Sequence, residues 1–371
     1  MSRVMNFNAG PAALPLAVLE RAKSELVEFE GSGMSVMEHS HRGKVYEKVH
    51  ADAMGLLVEL LELPADYDIL FVTGGASTVF AQLPLNFLGS GAVADYIVTG
   101  TWGEKALAEA ETVASVGGGK PHVCATTLEN KSYARVPKQS ELSLSDNAAY
   151  VHVTSNETIH GVEWALGPDT PFPTVRAPLI CDMSSDILGR RIDATQFDLI
   201  YAGAQKNIGP SGVTIIAAKK ELIGRGRKDI PTIFQYRTHA ANKSLYNTPP
   251  TFGIYLMRNT LEWLKSQGGV AGIEARNRKK AQIIYDAVDA SGGFYRCPVD
   301  PSCRSIMNVV FRLPSPELDD AFVKESETAG MVGLKGHRAV GGIRASIYNA
   351  AEIAWSEALA SFMKDFAKRR G

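Results

Sequence analysis

Lys206 is the residue whose setting first suggests chemistry. It lies between two apolar, β-prone stretches, Asp198-Leu-Ile-Tyr201 and Val213-Thr-Ile-Ile-Ala-Ala218, in a loop that also holds Gly203, Gly209, Pro210 and Gly212. Such a loop fixes a backbone that most residue types resist. A long cationic side chain adds little stability there, but it makes sense as a nucleophile. A free lysine amine titrates near ~10.4, so holding it neutral at pH 7 costs roughly 4–5 kcal/mol. Covalent attachment of the nitrogen to an aldehyde removes that cost and creates a reactive group. A lone turn lysine is ordinarily a surface residue, so the other residues of the chain must carry the case.

Four further features point the same way. Asp68-Ile-Leu-Phe-Val-Thr73 reads as a strand running into Gly74-Gly-Ala-Ser-Thr78 and a helix through Phe87. A glycine-rich loop opening a helix offers free backbone N–H groups to a phosphate. This loop lacks both the Gly-Lys-Ser/Thr ending of a nucleoside-triphosphate loop and GxGxxG. Trp102 follows the strand Ala94-Asp-Tyr-Ile-Val-Thr99, where a flat ring can stack on a flat ligand. Thr158 follows the strand Asn147-Ala-Ala-Tyr-Val-His-Val-Thr154, in which His152 reads as a hydrogen-bonded core residue. Asp182 ends the apolar run Ala177-Pro-Leu-Ile-Cys-Asp182, and a carboxylate at the tip of a buried strand needs a cationic partner. Strands alternating with helical patterns from residue 64 to 218 predict an α/β fold with a mostly parallel sheet, whose carboxyl edge holds ligands. All these residues fall at that edge. An amine, a phosphate cradle, an aromatic ring and a lone carboxylate match pyridoxal 5′-phosphate (PLP), which has an aldehyde, a phosphate, a flat ring and a ring nitrogen that works protonated.

The elements that position these residues come from the whole chain. Its 371 residues, 45% hydrophobic and 21% charged, fit an α/β protein of two domains, or one with an appendage. A net charge of −1 leaves no electrostatic footprint for nucleic acid or an anionic membrane. No apolar run reaches the roughly 18 residues a membrane span needs. Cys124, Cys181, Cys297 and Cys303 show no CxxC spacing, which fits a reducing compartment. The opening Met1-Ser-Arg-Val-Met-Asn-Phe-Asn8 has no signal-peptide pattern, so a cytoplasmic setting is expected. Leu16, Leu19, Ala22, Leu26 and Phe29 predict a helix from Pro15 that Gly31 and Gly33 end. His39 and His41 have no third ligand nearby, so no metal is expected; His41-Arg42 beside Gly43 reads as an anion clamp. Residues 44–62 read as an amphipathic helix. From about Leu261 a smaller α/β domain is expected, with a helix over 272–290, a strand over 305–311, a polar helix over 316–329 and a last helix ending near Phe366. In Gly342-Ile-Arg-Ala-Ser-Ile-Tyr348 the period of two puts Ile343, Ala345 and Ile347 on one face and Arg344 on the other.

Six stretches together resemble the phosphoserine aminotransferase family, within class V of the fold-type I PLP enzymes. They are Asn6-Phe-Asn-Ala-Gly-Pro11, Ser35-Val-Met-Glu-His-Ser-His-Arg-Gly43, Ser155-Asn-Glu-Thr-Ile-His-Gly161, Tyr201-Ala-Gly-Ala-Gln-Lys-Asn-Ile-Gly-Pro210, Asn247-Thr-Pro-Pro-Thr-Phe252 and residues 336–350. The resemblance spans essentially the entire chain. It implies an aspartate-aminotransferase-like large domain (16–260) with a seven-stranded type of sheet sandwiched by helices, a small domain (261–371), and an N-terminal segment (1–15) packed on the latter. It implies PLP held as a Schiff base on Lys206, which also shuttles the α-proton, with Asp182 on the pyridinium nitrogen, Trp102 on the ring and Thr158 on the ring hydroxyl. The phosphate falls to the backbone of Ala76 and Ser77 with Gln205. Asn247 and Thr248 reach it from the other subunit of a homodimer. Arg344 takes the substrate α-carboxylate, and His41-Arg42 with His337-Arg338 take the phosphate or the glutamate side chain.

The implied reaction is reversible exchange of an amino group between O-phospho-L-serine and 2-oxoglutarate in serine biosynthesis, with a side reaction on 4-phosphohydroxy-L-threonine. Two positions depart from the family pattern. Residue 77 is Ser where some members carry Arg, and residue 9 is Ala where Ser can occur. Rival readings are a cysteine desulfurase using Cys297 or Cys303, an alanine–glyoxylate aminotransferase, and a non-catalytic PLP-binding protein.

Overall fold

The computed structural model describes residues 3–167 and 169–371. Seven strands form the central sheet: β1 (Tyr67–Val72), β2 (Val93–Val98), β3 (Lys120–Thr126), β4 (Ala148–Thr154), β5 (Leu179–Asp182), β6 (Leu199–Gly203) and β7 (Thr214–Lys219). Their spatial order is β1-β7-β6-β5-β4-β2-β3. Only β7 runs against its neighbours β6 and β1; the other pairs are parallel. The sheet is thus mostly parallel, as the alternation of strands and helices predicts. Sequence reading did not place β3. It opens Lys120-Pro-His122 and lies at the sheet edge, where a proline costs no ladder bond and the apolar pattern is weak.

Both faces of the sheet are covered, so successive side chains enter two different cores. Phe71, Val153, Cys181, Ile200 and Ile215 pack on one side. Leu70, Tyr150, Ile180, Tyr201 and Ile216 pack on the other. This explains the unbroken apolar runs of β5 and β6. His152 is such an inward residue: its Nε2 lies 2.8 Å from the Tyr201 hydroxyl, and burial pushes its pKa down to about 3.

A separate apolar cluster gathers residues from the C-terminal part, including Phe311, Phe322, Ile343, Leu359 and Phe366. Asn308–Phe311 pairs antiparallel with Ile343–Ser346. The opening segment joins this cluster: Met5–Asn6 pairs with Met331–Val332, and Phe7 is fully buried there. The helix Thr251–Ser266 packs Leu261 and Leu264 into the large core. The long helix Gly269–Asp289 then links the two, with Ile273 in the large cluster and Ile284 and Val288 in the small one.

One helix differs from expectation. The segment from Pro15 is helical only over Leu16–Ser24. Ser24 Oγ bonds back to the Arg21 carbonyl at 2.8 Å, a local bond that competes with helix continuation. The chain then bends so that Phe29 is buried edge-on to Tyr255 at 5.5 Å, while Leu26 and Val27 face outward. No helix among the described residues is long and apolar enough to cross a membrane.

Candidate active site

Lys206 sits in the turn after β6, close under the opening segment. Ala12 donates its N–H to the Gln205 carbonyl at 2.9 Å. Gly10 has φ +139°, a conformation that calls for glycine, and a Cβ there would only touch Lys206 Cγ at 3.4 Å. The lysine Nζ bonds Thr158 Oγ1 at 2.9 Å and lies 5.2 Å from the centre of the Trp102 ring. Burial pushes its pKa down to about 8, with Asp182 and Glu157 opposing the shift and Arg344 adding to it. The amine is thereby brought near the pH at which it can act as nucleophile and base.

Asp182 ends β5, is 4% exposed and accepts the Ser184 N–H at 2.9 Å. Burial raises its pKa, opposed by the Ser184 bond and by Lys206. The buried guanidinium of Arg190 is engaged by Glu163 at 2.8 Å and Asp186 at 3.4 Å, so Asp182 has no ion pair among the described residues. A buried acid left this way calls for a cationic group from outside the chain.

Trp102 stands in the first turn of the helix Thr101–Gly117. That turn is held by Glu157, which is fully buried. Its two oxygens accept the N–H groups of Trp102 (3.0 Å) and Gly103 (2.9 Å). Gly100 leaves room for it, since a Cβ there would fall 2.3 Å from Glu157 Cδ. The outer neighbour of the ring is Lys105 Nζ, 4.4 Å from its centre. Gly74 (φ +93°) opens the helix Gly75–Phe87, and no side chain caps its first turn. The N–H groups around half-buried Ala76 and exposed Ser77 are therefore open to an anion.

Arg344 projects from the strand Ile343–Ser346 opposite the buried face of Ile343, Ala345 and Ile347, as its period of two predicts. Its Nε is buried with no hydrogen-bond partner, and burial lowers its pKa. With His337, Arg312, His160 and Tyr133 it lines a narrow cleft. Burial and the neighbouring Arg344, Lys105 and Arg338 lower the pKa of His337. Arg338 is exposed beside it. His41-Arg42 and Asn247-Thr248 do not line that cleft. His41 is half-buried with an unpartnered Nε2, Arg42 is exposed, and Asn247 and Thr248 are exposed. Asn247 borders a separate depression with Thr73 and Thr78, beside the start of the helix Gly75–Phe87. The remaining cysteine candidates are poorly suited to nucleophilic work: Cys303 is buried, and burial pushes the Cys297 thiol up.

The family model for class-V aminotransferases matches residues 4–355. A phosphoserine aminotransferase of Niallia circulans is 54% identical over 369 residues, covering 100% of this chain and 99% of the relative. The chain belongs to the class-V aminotransferases, in the phosphoserine aminotransferase family. The Bacillus subtilis (strain 168) relative is 50% identical over 368 residues, with 99% of each chain covered. Among solved structures, the phosphoserine aminotransferase from Bacillus circulans subsp. alkalophilus superposes with a TM-score of 0.94 at 54% identity, covering 100% of this chain and 99% of that one. A PLP-bound phosphoserine aminotransferase from Trichomonas vaginalis gives 0.91 at 39% identity, covering 98% and 100%.

Within this aminotransferase two residues next to the pocket escaped sequence reading. Glu157 immediately precedes Thr158, and its role is visible only once β4 and the Trp102 helix are side by side. His160 bonds Thr101 through Nε2 at 3.0 Å and packs edge-on against Tyr133 at 5.0 Å. Burial, with His337 and Arg312, pushes its pKa down to about 4, so it is a neutral wall of the cleft.

Proposed function

We propose that this chain uses PLP to exchange an amino group between O-phospho-L-serine and 2-oxoglutarate, giving 3-phosphohydroxypyruvate and L-glutamate, reversibly, in serine biosynthesis. The observation that carries this is a buried Lys206 amine, its pKa pushed down to about 8, set beside the Trp102 ring and within electrostatic reach of a buried Asp182 that has no ion pair among the described residues. The donor set fits the cofactor part by part. Lys206 would hold it covalently, Asp182 would face its ring nitrogen, Trp102 its face and Thr158 its ring hydroxyl. Ala76, Ser77 and Gln205 would take its phosphate. When bound, the protonated pyridine ring supplies an electron sink for the bond broken at the substrate α-carbon.

The protein residues then divide the remaining work. Arg344 orients the substrate by its carboxylate; its unpartnered Nε is a donor waiting for an acceptor. Lys206 Nζ takes the proton from the α-carbon and returns it, which an amine titrating near 8 can do in both directions. His337-Arg338, with His41-Arg42, bind the substrate phosphate or the glutamate side-chain carboxylate. Each charge-assisted hydrogen bond contributes about 1.5–3 kcal/mol, so several distinguish a dianion from a neutral side chain.

The active unit in this proposal is a homodimer in which Asn247 and Thr248 reach the partner's cofactor phosphate. Support comes from their exposure, and from the apolar Leu26, Val27, Met34 and Met37 exposed in the stretch leading to His41-Arg42. The proposal also takes residues 3–15 of the expected 1–15 segment as lying on the small unit, residues 1–2 falling outside the described residues, and places the unit boundary within the helix Gly269–Asp289 instead of at residue 261, since Leu261 and Leu264 belong to the large core. A cytoplasmic setting is supported by four unpaired cysteines. The test is coupled turnover of phosphoserine against serine: a strong preference for the phosphorylated substrate is expected, and equal turnover overturns the assignment.

A further inference from the structure

Lys280 is fully buried in the middle of the helix Gly269–Asp289, far along the chain from every residue assigned above. Its Nζ donates to three carbonyls, of Ile347 (2.8 Å), Tyr348 (2.7 Å) and Ala351 (3.0 Å). An ammonium has three donors and no acceptor, so three carbonyls saturate it. No carboxylate pairs with it among the described residues. Burial lowers its pKa well below the usual value, with Arg276 adding to the shift. A buried charge is a costly way to fill a core, and an apolar residue of this length would be cheaper if only packing mattered.

The three carbonyls belong to the turn that directly follows the Arg344 strand. One helical turn earlier, Asn277 faces the same region, donating to Gly189 O (2.7 Å) and Asn349 Oδ1 (2.8 Å). Asn349 in turn donates its side chain to Leu188 O (3.1 Å) and its backbone N–H to Asn207 Oδ1 (3.1 Å). Asn207 adjoins Lys206 and is itself held by Ile187 O at 3.1 Å. Tyr348 completes the enclosure by donating its hydroxyl to Ala9 O at 2.8 Å. An unbroken run of buried polar contacts therefore joins the turn after Arg344 to the residue after the nucleophile, and the central helix supplies its strut.

We propose that Lys280 is a positioning residue: by pinning residues 347–351 it sets the separation and orientation of Arg344 relative to Lys206, and so tunes capture of the substrate carboxylate. This rests on the transaminase reading given above. Without the ammonium, three carbonyls lose their donor together, and the turn must shift to find others. Arg344 shifts with it, being three residues upstream of Ile347. Both amino-acid substrates share the α-carboxylate, so both should be affected in the same ratio, while the discrimination between phosphoserine and serine stays as in the parent.

The experiment is steady-state kinetics of the Lys280→Met holoenzyme with phosphoserine and, separately, with glutamate. A parallel rise of about tenfold or more in KM for both is expected, with the visible absorbance of the lysine-bound cofactor retained. A KM within twofold of the parent for both substrates, even with a lowered melting temperature, shows a merely structural lysine and overturns the proposal. So does a rise confined to phosphoserine. If Lys280→Met does not fold, Asn277→Ala decides in its place, since it leaves the ammonium intact and cuts the strut on the Asn349 side. A parallel KM rise of about threefold supports the proposal, and unchanged KM values overturn it. Failure of the parent enzyme to use phosphoserine at all sinks the transaminase reading instead, and is read from a different sample.

Discussion

Glu157→Gln is the most informative substitution in the pocket, because structure and titration make opposing demands on it. Burial pushes this carboxyl up to about 7, against the two backbone N–H bonds that favour its charged form. In the unfolded chain a glutamate titrates near ~4.3. Between those two values the folded chain binds the proton more tightly than the unfolded one, so stability falls as pH rises through this window and levels off above about 7. At about 1.36 kcal/mol per pKa unit, the swing is on the order of 3 kcal/mol. Gln has no proton to lose and lacks the swing altogether. It also turns an NH₂ group toward the N–H of Trp102 or Gly103, a pH-independent loss of roughly 1–3 kcal/mol. Near pH 5 the variant should therefore be the less stable protein. The gap should close by about 2–3 kcal/mol between pH 5 and pH 8, since the parent alone weakens over that range. Urea unfolding of both proteins at matched concentration and cofactor loading measures this. A gap that stays constant from pH 5 to pH 8 would refute the reasoning, by showing that the carboxyl does not titrate in the window burial assigns to it.

The other substitutions address the proposed roles directly. Lys206→Ala should leave no cofactor that borohydride can fix to the chain, and full turnover by the variant would remove the lysine from the mechanism. Asp182→Asn removes the acid proposed to face the cofactor's protonated ring nitrogen; breaking such a buried pair costs about 3–5 kcal/mol, so turnover should drop at least a hundredfold, and a change below threefold would rule out the assignment. Arg344→Ala should raise KM for phosphoserine and glutamate alike by roughly 10–100-fold, from about 1.5–3 kcal/mol per charge-assisted bond. Arg338→Ala should instead penalise phosphoserine over a short neutral amino acid, and equal losses would undo the phosphate clamp.

The parts of the site that the sequence exposes are those where one residue announces a local rule. The unbroken apolar runs ending at Asp182 and Gly203 reveal strands buried on both faces. Gly74 before a helix reveals an uncapped N-terminus, and the alternation around Arg344 reveals which way it points. What stays hidden depends on contacts between distant segments. Glu157 acquires its partners from residues 102 and 103, and Lys280 from residues 347–351; no local pattern encodes either. The bend after Ser24 is of the same kind. The helical spacing of Leu26 and Phe29 is real, but burying Phe29 against Tyr255 decides the outcome. The edge strand Lys120–Thr126 escapes for the opposite reason, since an edge needs so little of its sequence.

The placement of buried charge around Lys206 also explains why the lysine is not simply neutral. Burial alone would drive its pKa far down, and three acids, Asp182, Glu157 and Asp186, oppose this while Arg344 reinforces it. The balance near 8 leaves roughly a tenth of the amine unprotonated at pH 7. That is enough for attack on an aldehyde, and it keeps the protonated form available to return a proton. Each of those acids is also tied to the scaffold by something other than the lysine: Glu157 by the Trp102 helix, Asp182 by Ser184 N–H, and Asp186 by Arg190. Their distances to the amine are therefore set by the sheet and its helices and do not relax when the amine changes charge. In the proposed mechanism, a carboxylate arriving at Arg344 would offset that guanidinium's effect on the amine, which would raise the affinity of Nζ for a proton as substrate is seated. Carboxylate capture by Arg344 is thus coupled, in this proposal, to the basicity of Lys206 through the electrostatic influence of that guanidinium on the amine.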